Sequence, residues 1–284
     1  MKTNLDCIPC FLRQAVMTAK DLNLNEDQAQ ALIRRTLELS LQMDWSVPPP
    51  LMGRDVHRLI REMTGDKDPY LAKKITATER ALSLLPEMES AVAGSSDPFL
   101  TAVKLSIAGN VIDLGVATGA STDIKKAMQD ALTATVNQQA VDSLRRAIQD
   151  AGDILFLTDN TGEIVFDLPL LEHIGSDKVT VAVRGSPTIN DATMEDARRS
   201  GLTDRFRVIT NGTDIPGTWL DECSDEFVRE FEAADLVLSK GQGNFETLND
   251  NERRLFFLFL VKCATVSRMT GEPVGSFMVL ENPS

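Results

Sequence analysis

The chain has 284 residues, of which 43% are hydrophobic and 25% charged, enough for one large domain or two small ones. Its 42 acidic and 29 basic side chains give a formal net charge of −13, which repels polyanions and argues against nucleic acid as a partner. No apolar run reaches the roughly 18 residues of a membrane span, and Met1 to Cys7 has no apolar signal core, so a cytoplasmic protein without a membrane partner is expected.

Residues 1–94 read as helical. Cys10 to Val16 opens a helix-like run, and Asn25-Glu26-Asp27-Gln28 has the form of an N-terminal cap. Behind that cap, Leu32, Ile33, Thr36, Leu37 and Leu41 recur at helical spacing. Pro48, Pro49 and Pro50 are expected to end this helix. A third is predicted from Met52 to Met63, closed at Gly65, and a fourth from Tyr70 to Leu85, stopped by Pro86. The stretch Ala93-Gly94-Ser95-Ser96-Asp97-Pro98 is the best break in the chain. It predicts a helical N-terminal domain over 1–94 and a second domain over 95–284. Phe99 to Ala108 reads as a helix leading into Gly109-Asn110-Val111-Ile112-Asp113, and Thr122 to Asp150 as helical in two pieces.

From Asp153 short apolar runs alternate with helical segments. Strands are predicted at 153–158, 179–183, 206–210, 235–239 and 274–280, with helices such as Ile164–Ile174 and Ala192–Ser200 between them. Such alternation predicts an α/β fold: a Rossmann-like, mostly parallel sheet flanked by helices.

In an open α/β sheet, ligands bind beyond the carboxyl ends of the strands. The first predicted strand is followed by Asp159-Asn160-Thr161-Gly162-Glu163, and the second by Arg184 to Thr193, which includes Asp191. Asn211-Gly212-Thr213-Asp214 follows the third and Lys240-Gly241-Gln242-Gly243-Asn244 the fourth. Asp159, Asn160 and Asp191 offer two carboxylates and an amide oxygen, donors that suit Mg²⁺ or Mn²⁺. Taken singly, each could equally be a helix cap or turn former. Lys240 in a glycine-rich turn could bind phosphate, or could be an exposed lysine in a plain turn. Gly241-Gln242-Gly243 imitates the start of a dinucleotide fingerprint, but Glu246 stands where the third glycine is needed. The two histidines, His57 and His173, lie in helical segments and read as structural or surface residues. Cys7 and Cys10 form a Cys-x-x-Cys without a second copy, half of a metal or redox site or two small side chains packed at a helix start. No secretion signal accompanies the four cysteines, so reduced thiols are expected.

Taken in order, Asp6-Cys7-Ile8-Pro9-Cys10, Gly109 to Asp113, Thr158 to Glu163, Ile189 to Thr193, Ser239 to Glu246 and Phe259 to Cys263 resemble the metal-dependent damage-control phosphatases. That family was catalogued first as domain of unknown function 89, and the likeness is to its small prokaryotic branch. The resemblance implies a helical N-terminal domain on a Rossmann-like domain. It implies a divalent ion (Mn²⁺, Co²⁺, Ni²⁺ or Mg²⁺) at Asp159, Asn160 and Asp191, and phosphate contact by Lys240. Asn110 and Asp113 would line the same pocket, with Gly241, Asn244 and Glu163 beside the substrate. The implied substrate is a small phosphorylated metabolite, a sugar phosphate or damaged phosphometabolite. Asp191 would orient or deprotonate the attacking water, direct attack by Asp159 is a second route, and Glu163 would fix a water or cap its helix. The rival readings are a carboxyl methyltransferase or dehydrogenase using Gly241 and Gly243 to approach a cofactor, and a non-catalytic, metal-dependent metabolite-binding protein. No feature of the sequence specifies an oligomeric state.

Overall fold

The structure, a computed structural model, describes residues 1–118 and 124–282, the side chains of 111–118, 124, 125 and 127 excepted. The chain begins with α1 (Cys7–Asp21), α2 (Glu26–Gln42) and α3 (Pro49–Thr64). The expected cap of α2 is a full capping box: Gln28 N–H donates to Asn25 Oδ1 at 2.9 Å, and Asn25 N–H donates to Gln28 Oε1 at 3.1 Å. The three prolines do not end α2, which stops at Gln42; they start α3, with Pro48 as its N-cap and Pro49 in its first turn. Proline is at home there because the first N–H groups of a helix have no intrahelical acceptor. The apolar faces of these helices form a small core of their own around Phe11, Ala15, Leu32, Val56 and Ile60.

Next come α4 (Leu71–Ala93), α5 (Pro98–Thr118), α6 (Ile124–Thr133) and α7 (Gln138–Asp150). Pro86 lies inside α4 and does not stop it. Ala81, Leu84, Leu85 and Met88 of α4 belong to the same core as the sheet, so the hydrophobic division of the chain falls after α3 and not at residue 94. Helix α5 continues through Gly109 and Asn110, where the sequence reading had it end.

The rest alternates: β1 (Ile154–Leu157), α8 (Glu163–Ile174), β2 (Val179–Val183), α9 (Met194–Arg199), β3 (Arg207–Thr210), α10 (Asp225–Ala233), β4 (Leu236–Lys240), α11 (Gln242–Leu248), β5 (Leu255–Leu260), α12 (Ala264–Thr270) and β6 (Phe277–Glu281). The strands form one sheet in the order β3-β2-β1-β4-β5-β6. All neighbours are parallel except β5 and β6. Strand β5 was missed in the sequence. Its six residues are all apolar and all buried, with none of the alternation that marks a half-exposed strand. The order reverses direction between β1 and β4, and the crevice at their carboxyl ends is the topological switch point where such sheets bind ligands. No helix among the described residues is long and apolar enough to cross a membrane.

Candidate active site

The switch point is built from backbone first. In register, Leu157 of β1 lies beside Ala182 of β2 and Ser239 of β4, so Asp159 and Lys240 emerge next to each other. The turns after β1 and β2 are stitched together: Ala192 N–H donates to the Asp159 carbonyl at 2.8 Å, Thr161 N–H donates to the Asn190 carbonyl at 2.9 Å, and Asn160 and Asp191 form an isolated antiparallel bridge. Asp159, Asn160 and Asp191, from two separate strand ends, thus share one buried edge. Ile189, two residues before Asp191, has φ +44°, a left-handed conformation that a β-branched residue rarely adopts. Strain of this kind persists where surrounding structure over-determines it, and here it closes the turn that delivers Asp191.

Helices α5 and α8 supply the floor. Glu163 and Asp167 are one turn apart on α8, and Ser106 and Asn110 one turn apart on α5. The two helices meet at Gly109, where a Cβ would stand 2.8 Å from Glu163 Cγ. That close approach lets Asn110 Nδ2 donate to Asp159 Oδ2 at 2.8 Å and to Glu163 Oε2 at 2.6 Å. Asn160 Nδ2 donates to the same two oxygens, at 2.9 and 3.2 Å. Asn110 Oδ1 is buried without a hydrogen-bond partner. Asp113 also falls on α5, and its side chain lies outside the described residues.

Lys240 is fully buried behind Glu163. Its ammonium lies 2.6 Å from Glu163 Oε1, 2.6 Å from Asp167 Oδ1 and 2.8 Å from the Ser106 carbonyl, so its three N–H donors are all engaged. The Ser106 hydroxyl also donates to Asp167 Oδ1, at 2.6 Å. Burial pushes the Glu163 carboxyl up to about 8 against the opposing pull of Lys240, with Asp159 and Asp167 adding like charge. Burial raises Asp167 too, and the carboxylates raise Lys240 against its own burial.

Sequence reasoning singled out neither Arg184 nor Asp167. Arg184 is the first residue beyond β2, 1% exposed, and its Nε donates to Asp191 Oδ2 at 2.7 Å. Its position was a signal, since the strand-end rule applies to it as it does to Asp159. Asp167 had a signal as well: a carboxylate inside the apolar run Ile164 to Leu171. Asn244, expected beside the substrate, is wholly buried; its amide donates to the Thr158 and Lys240 carbonyls at 3.0 and 2.7 Å and accepts from Thr218 at 2.8 Å. It ties the ends of β1 and β4 together. Gly241 (φ +82°) is pressed on Asp159, where a Cβ would meet Oδ2 at 2.0 Å, and a Cβ at Gly243 would meet the Pro216 carbonyl at 2.2 Å. Packing within the chain therefore accounts for both glycines without a cofactor pyrophosphate.

The donors fit a hard divalent ion. Carboxylates and carboxamides converge, and a half-turn of either asparagine amide presents oxygen in place of nitrogen to the same edge. Among the described residues no three His, Cys, Asp or Glu side chains form a ready-made metal cage, so amide oxygens would have to contribute. The same holds at Cys7 and Cys10. Burial, with Glu246 and Cys263 adding like charge, raises both thiols, and Gln242 Nε2 lies 2.7 Å from Glu246 Oε1 and 3.6 Å from Cys263 Sγ, yet no thiol cage is formed. His57 is buried against Tyr70, and His173 packs on Phe99. A groove of about 720 Å³ lined by Val16, Ala19, Leu24 and Ile33 lies between α1 and α2, away from this chemistry.

A Rossmann-like sheet with a buried cluster of carboxylates, carboxamides and two cations at its switch point has the layout in which α/β proteins place small-molecule sites. Residues 3–278 match the family model described as the damage-control phosphatase ARMT1-like domain. A damage-control phosphatase of Archaeoglobus fulgidus is 35% identical, covering 98% of each chain, and one of Pyrococcus horikoshii is 32% identical, covering 99% of each. An uncharacterised protein of Methanocaldococcus jannaschii is 36% identical over 99% of this chain and 96% of its own length. The crystal structure of a domain-of-unknown-function-89 protein from Pyrococcus horikoshii superposes with a TM-score of 0.89 at 31% identity, covering both chains completely. The chain belongs to the damage-control phosphatase family.

Proposed function

We propose that this protein is a cytoplasmic, metal-dependent phosphatase that hydrolyses small phosphate monoesters such as sugar phosphates or damaged phosphometabolites. One observation carries the reading. Among the described residues, Asp159, Glu163 and Asp167 are buried together at the switch point with one cation in close contact, Lys240 bridging Glu163 and Asp167, while the Arg184 guanidinium stands 4.0 Å from Asp159. Burying uncompensated charge is costly, and a divalent ion offsets the excess. Asp159, Asn160 and Asp191 would hold it, with Asn110 behind them, and Mn²⁺, Co²⁺, Ni²⁺ or Mg²⁺ would suit these oxygen donors. Such an ion, when bound, supplies Lewis acidity and lowers the pKa of a water.

The chain's own residues do the rest. Asp191 accepts a proton from the attacking water or orients it, and the Asn110 and Asn160 amides hold the Asp159 carboxylate in one rotamer. Lys240, anchored between Glu163 and Asp167, fixes those two carboxylates beneath the site. Asp159→Ala and Asp191→Ala are each expected to abolish Mn²⁺-dependent hydrolysis of p-nitrophenyl phosphate while leaving the folded circular dichroism spectrum intact. Undiminished turnover in both variants would sink the assignment.

A further inference from the structure

We propose that Arg184 is the side chain that grips the substrate's phosphoryl group, and that Lys240 acts behind it as a positioning residue for Glu163. The proposal rests on the phosphatase reading above and assigns the anion contact within it.

Free N–H donors distinguish the two cations. Phosphate has several acceptor oxygens, and a side chain that binds it must have N–H groups to spare. Lys240 has none: its three are committed to Glu163, Asp167 and the Ser106 carbonyl. A phosphoryl oxygen could reach that ammonium only by displacing one of these three buried acceptors. Arg184 is the opposite case. Its Nε is held by Asp191 at 2.7 Å, while its Nη2 is buried, has no hydrogen-bond partner, and lies 4.0 Å from Asp159 Oδ1. A buried cationic donor without an acceptor is costly in any fold. This one points along the edge where Asp159 and Asp191 meet, so an oxyanion bound there would satisfy it.

The chain fixes this group in place. Arg184 N–H donates to the Ala192 carbonyl, and Gly185 N–H donates to the Thr213 carbonyl, both at 2.9 Å. Residue 185 has to be glycine, because a Cβ would stand 2.5 Å from the Gly212 carbonyl carbon. The strand end is thereby clamped between two turns. Asp191 orients the guanidinium as a second carboxylate would orient any planar fork, leaving the outer edge for ligand. In hydrolysis the bond from water oxygen to phosphorus forms as the bond to the alkoxy oxygen breaks. A proton passes to the leaving alcohol, and inorganic phosphate remains on Arg184.

The test measures phosphate binding directly. Inorganic phosphate and orthovanadate are titrated calorimetrically into the full-length protein with Mn²⁺ present, for wild type, Arg184→Gln and Arg184→Lys. Both variants are expected to bind phosphate at least about tenfold more weakly, and to lose roughly a hundredfold in kcat/KM on p-nitrophenyl phosphate. Mn²⁺ affinity should be retained, and guanidinium ion should restore part of the activity of Arg184→Ala. Arg184→Lys keeps the charge and a contact to Asp191, so it carries the test if Arg184→Gln fails to fold. Phosphate affinity within about twofold of wild type in the folded variants would overturn the assignment while leaving the phosphatase reading intact. A wild type that binds phosphate through Arg184 but turns over no ester with any divalent ion would overturn the phosphatase reading and support the anion contact. A wild type that binds neither phosphate nor vanadate would overturn the anion contact outright.

Discussion

Replacing Lys240 with methionine removes an ammonium and keeps an unbranched stem of similar length. The side chain is completely buried, as are both carboxylates it bridges at 2.6 Å. Removing one partner of a buried ion pair leaves an uncompensated charge and costs about 3–5 kcal/mol, far more than the pair itself is worth against an apolar replacement. For a chain of this size each kcal/mol lowers the melting temperature by roughly 2–4 °C, so Lys240→Met should melt about 10 °C lower. The assay is differential scanning calorimetry at neutral pH. The cause is checked by a double-mutant cycle with Asp167→Asn, which removes one of the stranded charges and keeps an oxygen to accept from Ser106. The double variant should be more stable than the sum of the single losses by about 1–3 kcal/mol. A Lys240→Met protein melting within about 2 °C of wild type would refute the reasoning, since it would mean that the buried carboxylates do not depend on the lysine.

Gly241→Ala brings a Cβ to 2.0 Å from Asp159 Oδ2 at φ +82°, so it should displace that carboxylate and lower kcat on p-nitrophenyl phosphate by about a hundredfold; wild-type turnover would refute this. Ile189→Gly relieves a left-handed residue that costs roughly 1–2 kcal/mol, so urea unfolding should show a loss below about 1 kcal/mol despite the missing side chain. A loss above about 2 kcal/mol would mean that the turn is not strained. His57 is buried with its imidazole lowered to about 3 by desolvation, with Arg61 adding like charge. It therefore stays neutral when folded and takes up a proton when unfolded below about 6.5, so its contribution to stability is intact above that pH and falls as pH drops toward 3. Acidifying from pH 7 to 4.5 should cost about 2–3 kcal/mol through this group, and His57→Leu should show that much less acid sensitivity in melts across the range.

The parts of the site carried by local sequence were legible, and the parts carried by distant pairing were not. Asp159 and Asn160 follow β1 within three residues and Asp191 lies in the longer turn after β2, so strand prediction placed all three at one sheet edge, and the family resemblance then singled them out as ligand candidates. Lys240 was found the same way, but its surroundings were not, because Glu163 and Asp167 are 77 and 73 residues away and Ser106 is 134 away. A lysine in a glycine-rich turn looks exposed until the helix that covers it is in place. Gly109 was read as the end of a helix because glycine weakens helices; in the fold it is interior, where its missing side chain lets α5 touch α8. Pro86 was read as a stop for the same kind of local reason, and α4 runs through it because packing against the sheet core outweighs one lost hydrogen bond.

The helical part of the chain has a core separate from that of the sheet, yet it holds the turns at the switch point by charged contacts. Arg58 and Arg61 of α3 both bind Asp214, in the turn after β3, and Arg61 also donates to the Pro187 carbonyl at 2.7 Å, in the turn after β2. Lys74 of α4 is buried between Asp68 and Asp196, and the Asp196 carboxylate accepts from Thr193 N–H and Oγ1 at the start of α9. The segment 184–196 is thus gripped at both ends by α3 and α4, with strained Ile189 in the middle. Segments that carry only polar side chains toward a ligand tend to be mobile. Here the arginines and Lys74 supply what apolar packing cannot at a strand edge that must stay polar. A phosphate-binding arginine gains from this arrangement because a pre-oriented guanidinium loses little freedom when the anion arrives. The helices of the N-terminal region therefore brace the turn bearing Arg184 and Asp191, and ion pairs do so across the division between two hydrophobic cores.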